Sequence, residues 1–594
     1  MMSKAKASRL AKCVLSLSLL TAHCSLGTSL HLDFIHEVDG RPLLIDSLRY
    51  GNSSSETFSL TRLEWLATDF SLTTSTGNTL VIPNSTAFIS TRGTTFTLPD
   101  LPAEKITAIT FHIGPDEKTN HSDPAQYTAN HPLNPNLNKL HWDWQGGYIF
   151  LALEGHWRAD PQQGSVGVPP TDQPRSQNHP GGFAYHFARD PNRTKITLPI
   201  KLDLHHESRV TIALDPQKLL TDLSFAKDGA TTHSAEGDPV AEHLKTKLPS
   251  AFRITGIQKG GIPRPPNPPA PIDLPANPQG YPITLPKHIP LPALPSDNPI
   301  LTTRVALGEK LFHEPKLSRT NTISCASCHQ GETLSDPRQF SPGVDGDHAN
   351  RHSMPLFNLA WKSSFFWDGR ADTLRTQALI PISDHLEMDE SLENVVAKLK
   401  TDPTYPPLFA AAFGSGDITP ENIGLAIENF LLTRLSLDSK LDQSLKGKDT
   451  LTSEEQRGFE LFFTESEPRL GQLGADCFHC HGGALFTDHS FHNTGLSTTD
   501  DLGLEKTTGK KSDRYKFSTP SLRNVALTAP YMHDGRFATL EEVIDHYNSG
   551  FELSETLDPN LAKHPTGLGL SEADKAALVA FLKTLTDPAM QPAE

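Results

Sequence analysis

Two short motifs carry the most specific chemistry in this chain. One spans residues 325–329 and the other 477–481, and each reads Cys-x-x-Cys-His. Two thiols at this spacing can bond to the two vinyl groups of one porphyrin, and the histidine that follows can bind the iron. The motifs predict two covalently attached haem c groups. The residues concerned are Cys325, Cys328 and His329 in the first motif and Cys477, Cys480 and His481 in the second.

Zinc binding and thiol redox chemistry are alternative interpretations of these motifs. A four-thiol zinc site needs its cysteine pairs about 15–20 residues apart, whereas about 150 residues separate these two pairs. A thioredoxin-like pair does not require a histidine after the second cysteine, and both motifs have one. Two haem groups are therefore the better interpretation.

Length and composition limit the class of the protein. The 594 residues suffice for several domains of ordinary size. A net charge of −16, with no basic stripe, argues against binding to nucleic acid. Of the six cysteines, four belong to the two motifs, and Cys13 and Cys24 lie near the N-terminus. No thiol is left for a disulfide in the body of the protein, so we expect its stability to come from core burial.

Residues 1–30 have the pattern of a secretory signal peptide. Basic residues between 4 and 12 precede an apolar run over 14–22 that is too short to cross a membrane. No other stretch approaches membrane-spanning length. Cys24 raises the idea of a lipoprotein anchor, but His23 before it fits that processing poorly. We expect a periplasmic protein, which agrees with haem attachment outside the cytoplasm.

A β-rich domain is predicted over residues 31–255. Runs such as 105–111 and 209–214 alternate apolar and polar side chains, as half-buried strands do. A β-sandwich is the natural architecture for such strands. Histidines and tryptophans are densest over 141–157. They are either aromatic core residues with solvated histidines or a soft-metal site, since imidazole suits copper.

The remainder of the chain is predicted to be a linker and two helical units. The linker, 256–300, is rich in proline and favours extended polyproline structure, which would act as a semi-rigid spacer. Residues 301–445 and 446–594 each contain one haem motif within a helical pattern, which predicts tandem cytochrome c domains with mainly α structure. Thr452 and Glu455 form a capping box at the start of one of these helices.

A short helix is predicted near the C-terminus, over 539–550. Thr539 and Glu542 form its capping box. The apolar stripe of this helix points Tyr547 inward, and His546 is expected to face water. From the residues alone, Tyr547 is either an ordinary buried tyrosine or an iron ligand.

Four further stretches of the helical half are distinctive: 366–370 (Phe-Trp-Asp-Gly-Arg), 387–388 (Glu-Met), 521–525 (Ser-Leu-Arg-Asn-Val) and 529–535 (Ala-Pro-Tyr-Met-His-Asp-Gly). With both haem motifs in register, the chain over 285–590 resembles the bacterial dihaem cytochrome c peroxidase and MauG superfamily. The peroxidases have a methionine at the position of Tyr547, whereas MauG has a tyrosine, so this chain looks like the MauG branch. The resemblance implies that Tyr547 binds the iron of the second haem. A tyrosine oxygen is a harder donor than methionine sulfur and favours higher oxidation states of iron.

The same resemblance implies a hydrogen peroxide site at the first haem, opposite His329. Gln377, Pro381 and Glu387 match the distal residues of MauG. Glu387 would move a proton between the two peroxide oxygens, and Gln377 would orient the peroxide. Trp367 would relay electrons between the haems. The alternatives are a solvated Glu387 and a Trp367 that only packs.

A calcium ion between the haem units is also implied by the resemblance. The carbonyl oxygens of Thr528 and Pro530 match its ligands. An asparagine of the peroxidases aligns with His352 here, and imidazole is a poor calcium ligand. The chain therefore departs from the family pattern at this site.

Short motifs over 111–114, 120–121, 132–135 and 142–148 mark the β-rich domain. They resemble the MbnP family of periplasmic copper-binding proteins over most of this domain. Members of that family bind Cu(I) through histidines and an oxidised tryptophan, kynurenine. By proximity to the motifs, the candidate copper ligands are His121, His131, His141 and His156, and the candidate tryptophans are Trp142 and Trp144.

These patterns predict a periplasmic fusion of a copper-binding β domain with a dihaem peroxidase of the MauG or MbnH type. The enzyme would use hydrogen peroxide to reach a high-valent dihaem state and oxidise a tryptophan of its own β domain to kynurenine. The fusion gives the enzyme its substrate at high effective concentration. Two alternatives stay open. One is an ordinary dihaem cytochrome c peroxidase fed by a small redox protein, and the other is a non-catalytic dihaem electron carrier with a copper-binding module.

Overall fold

The structure is a computed structural model that describes residues 27–142, 146–159, 179–261, 274–467, 471–496 and 500–591. Over these residues the N-terminal half is mainly β-strand and the C-terminal half mainly helical, which confirms the predicted multidomain fold. None of the described helices is long and apolar enough to cross a membrane. The predicted leader lies mostly outside the described residues, and its predicted end at residue 30 falls inside the first strand, which begins at Thr28.

The strands of the described residues are β1 Thr28–Val38, β2 Arg41–Pro42, β3 Tyr50–Gly51, β4 Glu56–Thr74, β5 Thr79–Val81, β6 Thr86–Ile89, β7 Thr94–Leu101, β8 Lys105–Ile113, β9 His141–Trp142, β10 Gly147–Ala159, β11 Gly181–Ala188, β12 Thr194–Asp203, β13 Ser208–Leu214, β14 Thr231–Thr232, β15 Phe252–Lys259, β16 Phe491–His492 and β17 Phe517–Ser518. Strands β8 and β13 contain the two alternating runs from which strands were predicted.

Two sheets pack face to face in the N-terminal half. The first has the order β15-β13-β1-β7, with β2 paired to the end of β1. The second has the order β12-β8-β4-β10-β11-β14, with the short strands β3, β5, β6 and β9 along β4 and β10. Between the sheets, Phe34 of β1 contacts Trp65 of β4 at 5.2 Å and Phe111 of β8 at 5.7 Å between ring centres. These buried rings form the core of the predicted β-sandwich.

The helices of the described residues are α1 Glu117–Asn120, α2 Pro135–Asn138, α3 Gln217–Leu220, α4 Phe225–Asp228, α5 Pro239–Ala251, α6 Thr302–Phe312, α7 Cys325–Cys328, α8 Leu374–Ser383, α9 Leu392–Thr401, α10 Tyr405–Phe413, α11 Pro420–Leu432, α12 Lys440–Leu445, α13 Ser453–Phe462, α14 Phe478–His481, α15 Glu505–Thr508, α16 Leu540–Asp545, α17 Pro559–Ala562 and α18 Glu572–Lys583. The predicted capping boxes are present at the starts of α13 and α16.

The helical half repeats one arrangement twice. Helix α6 crosses α11 in the first unit, and α13 crosses α18 in the second. Each crossing has a glycine against a backbone carbonyl: a Cβ on Gly308 would lie 2.0 Å from the carbonyl oxygen of Ala426, and a Cβ on Gly458 would lie 2.0 Å from that of Ala577. Only a residue without a side chain lets the helix axes approach this closely. In each unit the crossed pair and one haem motif line the same cavity.

The β domain is docked directly against the second helical unit. Strand β11 lies so close to α17 that a Cβ on Gly182 would be 1.9 Å from the carbonyl oxygen of Pro559. From β10, the His156 ring donates to the carbonyl of Leu557 at 2.7 Å. The described part of the linker, 274–300, lies along the helical half. There the Trp361 indole donates to the Pro290 carbonyl at 2.6 Å.

Candidate active site

The two haem motifs have the same local construction. The cysteines of each lie on or beside a single helical turn, α7 or α14. The Nδ1 atom of His329 donates to the carbonyl of Leu334 at 3.0 Å, and that of His481 donates to the carbonyl of Phe486 at 3.2 Å. Burial lowers the pKa of both histidines to about 4, so each ring is neutral. Metal-binding histidines use this arrangement, because it fixes the ring and leaves the Nε2 lone pair for the metal.

A cavity lies in front of each motif. The first cavity contains Cys325, Cys328 and His329 in its wall and encloses about 600 Å³ with its open mouth. The second cavity contains Cys477, Cys480 and His481 and encloses about 1370 Å³ on the same measure. Leucines, phenylalanines and valines make up much of the remaining wall of the second cavity. Free thiols, a neutral histidine and an apolar space therefore occur together at both places, which fits a covalently attached haem.

The far wall of the first cavity is supplied by α8 and the loop that follows it. Gln377 and Pro381 lie one turn apart on α8, and both line the cavity together with Glu387. The Gln377 Oε1 atom is buried and has no hydrogen-bond partner within the described protein. Burial raises the pKa of Glu387 to about 7, with Asp384 adding to the shift and Arg370 opposing it. The three predicted distal residues are thus placed together, with a buried amide oxygen and a carboxyl group that titrates near neutral pH.

Tyr547 lines the second cavity together with His481. Burial raises the pKa of its hydroxyl, so the side chain enters the cavity as a phenol. The predicted helix over 539–550 is interrupted: α16 ends at Asp545, and His546–Gly550 form one π-helical turn. The prediction that His546 faces water is wrong. Its ring is buried and donates to the carbonyl of Thr494 at 2.9 Å, because a wider turn rotates successive side chains differently from an α-helix.

Trp367 is placed between the two cavities. Its ring is buried and lines the second cavity. Its indole N–H donates to the carbonyl of His352 at 2.8 Å, and the next residue, Ser353, lines the first cavity. The ring and its hydrogen bond therefore link the walls of both sites.

The segment that contains Thr528 and Pro530 lies beside His352. The backbone N–H of His352 donates to the carbonyl of His533 at 2.8 Å. The His352 Nδ1 atom contacts the carbonyls of Arg338 and Gln339 at 3.2 Å, and its Nε2 atom is buried without a hydrogen-bond partner. A calcium ion at this place stays a prediction.

The four histidines predicted as copper ligands are not brought together. His121 contacts Asp190 at 2.7 Å and is half exposed. The ring of His131 stacks on Tyr127 at 4.4 Å, and that of His141 packs edge-on against Tyr148 at 4.7 Å. His156 is bonded to the helical half, as described above.

A different set of histidines meets where the two halves dock. We call His186, His233 and His479 the histidine cluster; each offers a ring nitrogen within 4.8 Å of the others. His186 and His233 belong to the β domain, and His479 lies inside the second haem motif. Sequence reasoning missed this set because no spacing along the chain joins its members.

Trp142 packs against the histidine cluster. Its ring centre lies 5.2 Å from that of His233 and 6.2 Å from that of His186. The ring of His233 in turn lies 5.6 Å from Phe478 and 5.5 Å from His479. The other favoured tryptophan, Trp144, lies outside the described residues. A single ring, that of His233, therefore lies between Trp142 and the second haem motif.

Fold and site together define a dihaem c-type oxidoreductase with an added β domain. The family model described as "Di-haem cytochrome c peroxidase" matches residues 302–450, and the model described as "MbnP" matches residues 27–234. The methylamine utilization protein MauG of Methylorubrum extorquens is 40% identical over 296 residues, which cover 49% of this chain and 80% of that protein. The cytochrome c peroxidase Ccp of Escherichia coli is 33% identical over 315 residues, with 51% and 62% of the two chains covered.

Among solved structures, a MauG-like protein associated with microbial copper homeostasis is 37% identical, with a TM-score of 0.47, and the match covers 52% of this chain and 97% of that one. The match with MauG of Methylorubrum extorquens, 40% identical over 80% of that protein, shows the family to which this chain belongs. The chain belongs to the dihaem cytochrome c peroxidase and MauG family, and its residues 27–234 match the MbnP model. It is a haem-dependent oxidoreductase, and its family implies haem c cofactors, hydrogen peroxide as substrate and cytochrome partners.

Proposed function

We propose that this protein uses hydrogen peroxide to oxidise a tryptophan of its own β domain, Trp142, to kynurenine. The observation that carries the proposal is the contact of Trp142 with His233, which itself packs on Phe478 and His479 of the second haem motif. Aromatic rings at these separations are in van der Waals contact or close to it. An electron leaving Trp142 therefore has a short, ring-lined route to the second haem site.

The surroundings of Trp142 suit a reaction that adds oxygen to its ring. A cavity next to it is lined by Lys139, His141, Trp361 and His489 and encloses about 780 Å³ with its mouth. In the balanced reaction, tryptophan and two molecules of hydrogen peroxide give N-formylkynurenine and two molecules of water. Hydrolysis with one more water then gives kynurenine and formate. The cavity gives this water access to an otherwise buried ring.

The residues that line the two haem cavities have the other roles in the proposed reaction. The haem pair, once attached, supplies the oxidising equivalents that come from hydrogen peroxide. Glu387 accepts a proton from the near oxygen of the peroxide and returns it to the far oxygen. Gln377, whose buried oxygen lacks a partner, orients the peroxide. Trp367 relays electrons between the cavities, and Tyr547 supplies a hard oxygen donor at the second.

We also propose that the protein is exported to the periplasm, that its β domain binds copper(I), and that a calcium ion binds near Thr528 and Pro530. The leader-like pattern of residues 1–30 supports export. The MbnP match over 27–234 supports a metal-binding role for the β domain.

Peptide mass mapping of the full-length protein tests the reaction. Protein matured with both haems is digested before and after addition of hydrogen peroxide, beside a Glu387→Gln sample treated in the same way. We expect Trp142 to lose one carbon and gain one oxygen in the wild type and to stay intact in the Glu387→Gln sample. Trp65 and Trp157 of the same domain serve as internal controls.

Two outcomes change the proposal in different ways. Oxidation of Trp144 in place of Trp142 would keep the reaction and overturn the assignment of the residue. Intact tryptophans in every sample would overturn self-modification. The protein would then be an ordinary dihaem peroxidase that receives its electrons from a small redox protein.

A further inference from the structure

The histidine cluster brings two ring nitrogens of the β domain face to face. The Nδ1 atom of His186 lies 3.1 Å from the Nε2 atom of His233. The other nitrogen of His186, Nε2, lies 2.9 Å from a carboxylate oxygen of Glu154. The other nitrogen of His233, Nδ1, lies 3.1 Å from a carboxylate oxygen of Glu465. A carboxylate therefore lies on the outer side of each ring, and the two inner nitrogens face each other.

The two inner nitrogens can share one proton in a hydrogen bond, or both can present a lone pair to a bound cation. In the second arrangement each ring keeps its proton on the nitrogen that faces its carboxylate.

The distances suit a transition-metal ion. Bonds of about 2.0–2.1 Å to histidine nitrogens place two ligands of a tetrahedral ion about 3.3 Å apart, close to the observed 3.1 Å. His479 offers a third ring nitrogen within 4.8 Å of the others. A carboxylate behind the imidazole is the usual support of a metal-binding histidine. Glu154 provides it for His186, and Glu465 provides it for both His233 and His479, the latter at 2.9 Å.

Acidic groups surround the cluster. Three carboxylates lie at it, those of Glu154, Glu465 and Asp476. Arg62 contacts Glu154 at 2.9 Å, and Lys563 contacts both Glu465 and Asp476. His564 also contacts Asp476, at 2.6 Å. Each carboxylate thus has a partner and can also accept a hydrogen bond behind a metal-binding histidine.

We propose that His186, His233 and His479 bind a single transition-metal ion that prefers imidazole, copper or zinc, between the β domain and the second haem unit. Imidazole ligands suit both ions. Two ligands come from one domain and the third from the haem motif of the other, so the complete site exists only when the domains are docked. The bound ion also lies against Trp142, which packs on two of its ligands. The proposal does not depend on oxidation of Trp142.

The first test uses wild-type protein that carries both haems. Crystals are soaked with zinc or with copper(I) under anaerobic conditions, and anomalous difference maps are collected at the absorption edge of each metal. We expect a peak between His186 Nδ1 and His233 Nε2, well separated from the two irons. The edge at which the peak appears identifies the ion. Absence of a peak at this position with both metals would overturn the proposal and leave an ordinary hydrogen bond between the two rings.

Matched variants test the ligands in solution. His233→Gln and His186→Asn are compared with His121→Gln. His121 is predicted from sequence to bind copper, but its ring contacts Asp190 and is not part of the cluster. Affinity for zinc and copper(I) is measured by competition with a chromogenic chelator. We expect a loss of about 100-fold or more for each cluster variant, because disturbing only the hydrogen-bond partner of a metal-binding histidine already costs about 10–100-fold, and no change for His121→Gln.

Haem absorption and thermal unfolding of each variant, in the absence of added metal, show that the fold is intact. A folded His233→Gln protein with unchanged affinity, or a loss confined to His121→Gln, would contradict the assignment.

Discussion

The two haem cavities begin from the same construction and differ on the side opposite the histidine. In both, a short helix holds the motif, and the histidine Nδ1 donates to a backbone carbonyl five residues later. The first cavity then faces Gln377 and Glu387, an unpartnered amide oxygen and a carboxyl group that titrates near pH 7. The second is larger and mostly apolar, and it contains Tyr547. The difference shows that the attachment motif sets where a haem is held, whereas the opposite wall sets what each site can do.

The largest effect is expected from Glu387→Gln. An amide cannot accept the peroxide proton, so the rate of reaction with hydrogen peroxide should fall by about 10²–10⁴-fold. Stopped-flow absorption of the haem bands after mixing with peroxide measures this rate. Glu393→Gln, an exposed position on α9, is the matched control and should react as the wild type does. If the Glu387→Gln protein reacts with peroxide as fast as this control, Glu387 does not account for a functional difference between the two cavities.

A smaller effect is expected from Tyr547→Met, which makes the second cavity resemble that of the ordinary peroxidases. Methionine sulfur raises the haem potential. We expect a rise on the order of 100 mV, a fraction of the roughly 0.8 V that axial ligands span, at the second haem only. Spectroelectrochemical titration resolves the two potentials.

Tyr531→Met is the control for this substitution, because Tyr531 lines the same cavity and its hydroxyl donates to the carbonyl of Val525 at 3.0 Å. Equal shifts in the two variants would mean that Tyr547 does not bind the iron and acts only through the polarity of the wall.

The smallest effect is expected from pH. The pKa of Glu387 is raised to about 7, so the carboxyl group is mostly protonated at pH 6 and mostly ionised at pH 8. If the carboxylate accepts the peroxide proton, the rate with peroxide rises about tenfold over this interval and then levels off. The Glu387→Gln protein should lack this rise. A wild-type rate that is flat from pH 6 to pH 8 would show that the first cavity does not depend on this titration.

Much of the helical half could be predicted because its signals are local. The haem motifs, and the capping boxes at Thr452 and Thr539, depend on residues within five positions of one another. His546 is a residue whose orientation could not be predicted from local sequence patterns. An α-helical projection from Thr539 places it toward water, but the helix widens into a π turn after Asp545, and no residue type in the segment signals that change.

The histidine cluster could not be predicted for a different reason. Glu154 and His186 meet because β10 and β11 pair in one particular register, in which Ala152 lies opposite His186. His479 joins them only after the β domain docks on the second haem unit. Neither the strand register nor the docking is encoded in a short motif. Proximity along the chain therefore indicated His121, His131, His141 and His156, which the fold disperses.

The close packing of Gly182 against Pro559 has a consequence for how the proposed oxidation proceeds in time. Substrate and catalyst meet within one molecule, and no dissociation precedes or follows the reaction. Oxidation of Trp142 should then be first order in protein, with a half-time unchanged by dilution. It should also stop after each chain has reacted once, so that the event is a maturation step and not a turnover.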